Sequence, residues 1–189
     1  MYDVIIIGGG VSGCSAAIYT AFGKLKTLVI DAKKSQIIPI SQVVNYPGIQ
    51  KTTGEELLQT MKGQALENGA DWLDSVVTDL KENDGIYNVV TANNETYEAK
   101  YIIIATNINT ELLERLGFVV EVNDKVPSGK IKRVQGVGFD GKTSLENVFI
   151  AGLLANLSTQ CVIAAGQGAQ IGVDIVSKET GKAFVWHDL

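Results

Sequence analysis

The sequence predicts a three-layer α/β fold on a mostly parallel sheet, and three observations carry that expectation. Residues 4–7, 26–30, 101–105 and 148–152 are short, apolar and β-branched, as strands buried on both faces must be. Helical periodicity follows over residues 54–69 and 160–177. The first apolar run opens into Gly8, Gly9, Gly10 and Gly13, and small residues then continue to Phe22 in a stretch that reads as helix. Strand, glycine turn and helix in that order form the start of a Rossmann-like unit.

Within that turn, Gly8 suits the tight bend, Gly10 lets a pyrophosphate reach the backbone, and Gly13 lets the helix pack close to the strand. Free N–H groups and the positive dipole end at the helix start then favour an anion. Residues 26–30 close the βαβ unit and end at Asp31, where an acid accepts the hydroxyls of an adenosine ribose and repels a 2′-phosphate. At this point NAD and FAD fit equally well.

Composition bounds the rest. At 189 residues the chain has the length of a single domain, 1–189. Hydrophobic residues make up 46% and charged ones 20%, enough apolar content for a folded core. No apolar run approaches the ~20 residues that span a bilayer, and no signal-peptide pattern opens the chain, so a cytoplasmic protein is expected. A net charge of −5 without a basic cluster argues against nucleic acid. Cys14 and Cys161 form no C-x-x-C, and His187 stands alone, which leaves neither a metal site nor a Ser-His-Asp triad.

Along the chain, residues 33–50 read as a loop with Pro39 and the turn Asn45, Tyr46, Pro47, Gly48. Thr53 and Glu56 form a capping box, after which Leu57, Leu58, Met61 and Ala65 mark the core face of a helix ending near Gly69. Residues 72–80, 86–92 and 96–99 read as a β-meander crossing over to the strand 101–105, which Thr106 follows. Between 107 and 142, Leu112, Leu113 and Leu116 precede a strand-like 118–122. A second G-x-G-x-x-G, Gly136 to Gly141, precedes no helix and reads as a turn without a phosphate role. The helix from Gln160 is lined with small residues, and the tail 178–189 ends in Phe184, Val185, Trp186 and His187, suited to docking on the domain or on a second subunit.

These pieces together resemble the FAD domain of the thioredoxin reductase family. The matching stretches are Gly8 to Gly13; Val44 to Gly48; Gly54 to Leu57 with Gln64, Ala65, Gly69 and Ala70; Ile103 to Thr106; Val148 to Gly152; and Gln160 with Ala164 to Gly166. The resemblance implies FAD. It assigns the pyrophosphate to Gly8, Gly10, Val11, Ser12 and Gly13, and the ribose to Asp31, flanked by Ala32 and Lys33. It sets the Val76–Val77 backbone near the adenine, Ala105 and Thr106 at the cofactor's middle, Gly152 at the end of the last strand, and Asn45 near the flavin or ribityl chain. Gln160, Cys161 and Val162 would meet the isoalloxazine, where the helix dipole would stabilise negative charge on the reduced ring.

The departures from that family shape the functional expectation. Residues 107–142 stand where the family inserts a nicotinamide domain with its redox C-x-x-C. Asn107 replaces a glycine, Leu153 replaces an aspartate that holds the ribityl hydroxyls, and residues 35–39 replace a glycine-glycine-glutamine segment. A flavoprotein oxidoreductase that exchanges electrons with a separate partner is therefore expected, as a homodimer or with a heteromeric partner over the flavin. The other reading is a non-enzymatic module whose FAD is structural or sensing. Cys161 is the candidate catalytic group, since a helix N-terminus lowers a thiol's pKa.

Overall fold

The computed structural model describes residues 1–106 and 110–185. Its centre is β1 (Tyr2–Ile7), which pairs in parallel with β2 (Thr27–Asp31) on one side and β6 (Thr96–Ile104) on the other. Val4 to Ile7 are buried because both faces of the sheet are covered. Ile5, Ile7, Leu28, Ile30, Ile102 and Ile104 point into one apolar layer, and Val4, Ile6, Val29 and Ile103 into the other, under α1 (Val11–Phe22) and α4 (Cys161–Thr180). Period-two alternation at the centre of a three-layer stack thus gives an uninterrupted apolar run.

Among the described residues the sheet has seven strands, in the order β3-β2-β1-β6-β5-β4, with β9 (Val148–Ile150) also paired to β6. β4 (Val77–Asn83), β5 (Ile86–Thr91) and β6 form the expected antiparallel meander. Two details differ from the sequence expectation. Residues 72–80 are not one segment: β3 (Asp71–Asp74) joins β2 in parallel, and the chain turns at Ser75 and Val76 before β4 begins. Residues 96–99 and 101–104 are instead parts of one strand, β6, with Ala105 just past its end; its first half pairs with β5 and its second half with β9. Apolar pattern marks a strand but does not say which neighbour it takes.

The helix α2 (Gly54–Glu67) starts at the predicted capping box: Thr53 Oγ1 accepts from Glu56 N at 3.1 Å, and Thr53 N donates to Glu56 Oε2 at 2.9 Å. Its stripe of Leu57, Leu58 and Met61 packs with Val11, Cys14, Ile37 and Val43 in a third apolar cluster, so Met61 is core. After the short α3 (Glu111–Arg115), β7 (Val120–Val122) and β8 (Lys132–Val134) form a hairpin. Gly136 to Gly141 make a turn between β8 and β9, and a short 3-10 turn, Gly152–Ala155, leads toward α4.

The helix α4 runs three residues further than expected, so residues 178–180 are its last turn and no part of a tail. Phe184 lies edge-on to Phe22 with ring centroids 6.1 Å apart, and its N–H bonds to Ser177 Oγ, which docks this stretch on the domain itself. Asn107, Trp186 and His187 lie outside the described residues.

Candidate cofactor-binding site

β1, β2, β6 and β9 run parallel, so their carboxyl ends gather Gly8, Asp31, Ala105 with Thr106, and Gly152 along one edge of the sheet. Open α/β sheets bind ligands at that edge. A cleft of about 470 Å³ opens there, within the usual range for small-molecule sites. Of the predicted residues it is lined by Gly8, Gly10, Val11, Ser12, Asp31, Ala32, Val77, Ala105, Thr106, Gly152, Gln160 and Cys161.

Sterics shape the glycine turn. Gly8 has φ +112°, and a Cβ there would lie 2.7 Å from Ala105 O, so the tight bend and the close passage of β6 both require glycine. A Cβ on Gly13 would lie 1.9 Å from Gly8 O; Gly13 serves packing and does not line the cleft. At Gly10 a Cβ would meet only Ser35, Oγ at 3.4 Å. That open space beside the backbone is a cradle a side chain would fill. No side chain caps α1 and its first turn holds no acid, which leaves its leading N–H groups for an anion.

Asp31 is fixed by the turn it serves. Its Oδ1 accepts from Gly9 N and from Lys33 N, both at 3.1 Å. Lys33 contributes only its backbone: its ammonium pairs with Asp74 at 2.6 Å, and Lys34 and Ser35 line the cleft in its place. Lys33 beside Asp74 holds that carboxyl below the usual carboxylate range.

At the other end, Gly152 N donates to Oε1 of the buried Gln167 at 2.7 Å, and Leu153, Thr159, Gln160 and Ala164 complete the wall. Asn45 does not line this cleft; its Nδ2 donates to Gln160 Oε1 at 2.7 Å, tying the loop 33–50 to the start of α4. Val162 also lies off the lining. Cys161 departs from its expected chemistry: burial pushes its thiol up, against a smaller opposing effect of its own backbone N–H. Cys14 is buried under the glycine turn, its Sγ donating to Gly9 O at 3.3 Å.

Sequence reasoning did not single out the apolar half of the lining. Ile7, Ile30, Ile37, Ile40 and Leu112 line the cleft alongside the polar groups. Gly9 also lines it, with Trp72 and Asp31 packed where its Cβ would be. Only the apolar character of these residues was visible in sequence, and that is equally the signature of core. Among the described residues no group of three metal-binding side chains occurs, and no helix is long and apolar enough to cross a membrane.

Over residues 2–128 the sequence matches the pyridine nucleotide-disulphide oxidoreductase family. The chain belongs to that family. It is 38% identical over 109 residues to the thioredoxin reductase of Peptoclostridium acidaminophilum, a match covering 56% of this chain and 34% of that protein. With the thioredoxin reductase of Listeria monocytogenes it shares 39% identity over 121 residues, 62% of this chain and 37% of the relative. The chain thus spans about a third of the length of the curated relatives it matches. A thioredoxin reductase structure from Gloeobacter violaceus superposes with a TM-score of 0.79 at 19% identity, covering 100% of this chain and 98% of the other. The atypical thioredoxin reductase from Desulfovibrio vulgaris Hildenborough does so with 0.73 at 18%, covering 95% and 99%. At those identities the likeness is one of fold.

FAD is the cofactor of this family, in agreement with the resemblance drawn from the sequence. The open space at Gly10, the uncapped start of α1 and the anchored Asp31 fit its phosphate and ribose portions. The far end fits less specifically, since an apolar Leu153 lines it.

Proposed function

We propose that this chain binds FAD in the cleft and works as a thioredoxin reductase-like redox protein that exchanges electrons with a separate partner. The observation carrying this reading is the convergence of Gly8 to Ser12, Asp31, Thr106 and Gln160 on one cleft. Bound FAD supplies reversible two-electron chemistry. The first turn of α1 would hold the pyrophosphate, and Asp31, with Oδ1 engaged by Gly9 and Lys33, would offer Oδ2 to the ribose. Val76 and Val77 would hold the adenine, Thr106 the middle of the cofactor, and Gln160 and Cys161, at the dipole-positive end of α4, the ring; all of these residues line the cleft.

The cysteines support a separate partner. Disulphide reduction needs a dithiol beside the flavin; here Cys14 is buried beneath the turn and Cys161 is held toward its protonated form. Ile40 and Val44, 45% and 63% exposed near the cleft mouth and the Asn45 loop, suit a covering surface from a second copy or another protein. The apolar Leu153 in the cleft wall, together with burial that pushes the Cys161 thiol up, also favours a second reading, in which FAD is a structural or sensing ligand.

The test is the visible spectrum of the purified protein, followed by anaerobic mixing with NADH and NADPH. A yellow protein that neither nucleotide bleaches, but that an added reductase or thiol partner reduces, is the expected result. A preparation that stays colourless after incubation with FAD and gel filtration rejects the flavin reading. A yellow protein that no redox partner reduces or reoxidises leaves the structural or sensing role.

A further inference from the structure

We propose that Asn123 is a positioning residue for the flavin end of the cleft, holding the stretch that carries Leu153 and leads into α4. This rests on the reading that FAD lies with its phosphates at the glycine turn and its ring near Gln160.

Asn123 follows β7 and is fully buried. A buried side-chain amide must find partners, and the nitrogen of this one finds both of its own outside the hairpin. Its Nδ2 donates to Leu153 O at 2.9 Å and to Leu157 O at 3.1 Å, while its Oδ1 accepts from Lys125 N at 3.0 Å. The two donors therefore grip the carbonyls at either end of residues 153–157. Asn156, between them, is left-handed at φ 59°. In the amide orientation that satisfies both its ends, it donates to Asp124 Oδ1 and Asn123 Oδ1, each at 3.2 Å, and accepts from Arg133 Nη1. Arg133, on β8, in turn pairs with Glu121 at 3.1 Å and Asp124 at 3.7 Å.

The gripped stretch is a wall of the cleft. Leu153 lines it, as do Thr159, Gln160 and Cys161 just beyond, and Gln160 carries the bond to Asn45. The glycine turn and Asp31 make none of these contacts: Asp31 Oδ1 is held by Gly9 N and Lys33 N, and the turn packs against Ala105 beyond β6 and, through Ser12, against Gly168 in the middle of α4. A merely stabilising asparagine would affect the whole cleft through overall stability. A positioning asparagine affects one end, and a ligand that occupies only the other end reports the difference.

The experiment measures ADP and FAD affinities by calorimetry for the full chain and for Asn123→Ala. The wild type is expected to bind both. Removing two donors from buried carbonyls should weaken FAD by about tenfold or more while leaving ADP within about twofold. Parallel weakening of both ligands, or no change in either, overturns the assignment. If the wild type binds ADP but not FAD, the flavin reading itself fails, and the assignment with it. If Asn123→Ala does not fold, Asn156→Gly decides in its place, since it keeps the left-handed backbone and removes the links to Asp124 and Arg133. Selective loss of FAD then supports the assignment, and unchanged FAD affinity overturns it.

Discussion

Cys161 shows at the scale of one residue how position and environment compete. A thiol at a helix N-terminus gains from the dipole, which favours the thiolate. Burial at the cleft wall removes water from the same thiol, and that effect is the larger here. Cys14, beneath the glycine turn, is pushed up to about 12 chiefly by burial, with Asp31 adding to the shift. Alkylation of Cys161 by iodoacetamide, followed by peptide mass spectrometry across pH, should therefore show a midpoint above the ~8.5 of free cysteine. Cys14 should stay unmodified until the protein unfolds. A Cys161 midpoint at or below that of free cysteine would contradict the burial account. The linkage has a definite sign: a raised native pKa contributes stability that is in place below the ordinary thiol value. That contribution is lost as pH rises through the raised native value, so it weakens the fold on the alkaline side.

The capping box of α2 belongs to the scale of one element. Thr53 and Glu56 satisfy each other's backbone N–H groups, and those bonds, with Thr52 Oγ1, hold the Glu56 carboxyl below its usual range. Thr53→Ala should cost about 1 kcal/mol in urea unfolding at neutral pH. Because the native pKa of Glu56 is lowered, its contribution is present above the unfolded carboxylate value and lost as pH falls through the native one. The stability difference between wild type and Glu56→Ala should therefore shrink on going from neutral pH to about 3. A difference that stays constant would mean the carboxylate plays no part in the cap.

At the scale of the whole molecule, the glycine turn is held in place by a helix from the far end of the chain. Helices α1 and α4 pack closely, and a Cβ on Gly168 would lie 2.1 Å from Ser12 O. Gly168→Val should destabilise the protein by about 1–3 kcal/mol through overpacking. Since it displaces Ser12 at the phosphate end, it should weaken ADP and FAD alike, in contrast to the selective loss expected of Asn123→Ala. Differential scanning calorimetry with the same two ligands checks this, and selective loss of FAD alone would show that Ser12 does not pass the strain to the turn. The strand β6 has a similar integrating role, joining the meander through its first half and the last parallel strand through its second.

The signals that are local in character were readable from the sequence alone. They include the strand, turn and helix around Gly8, the acid at Asp31, the capping box at Thr53 and the small-residue helix at the C-terminal end, because bend, cap and close packing each demand particular residue types in a short span. Order along the chain then sufficed for the family and its cofactor. Partnership between distant segments depended on the tertiary structure. Residues 72–80 divided between two strand neighbours, the Lys33 side chain turned to Asp74, Asn45 paired with Gln160, and Asn123 reached the loop beside Leu153. The sense of the Cys161 shift belongs with these, since burial is a property of everything packed around a thiol. Local chemistry specifies what a residue can do; only the assembled sheet edge decides what it faces.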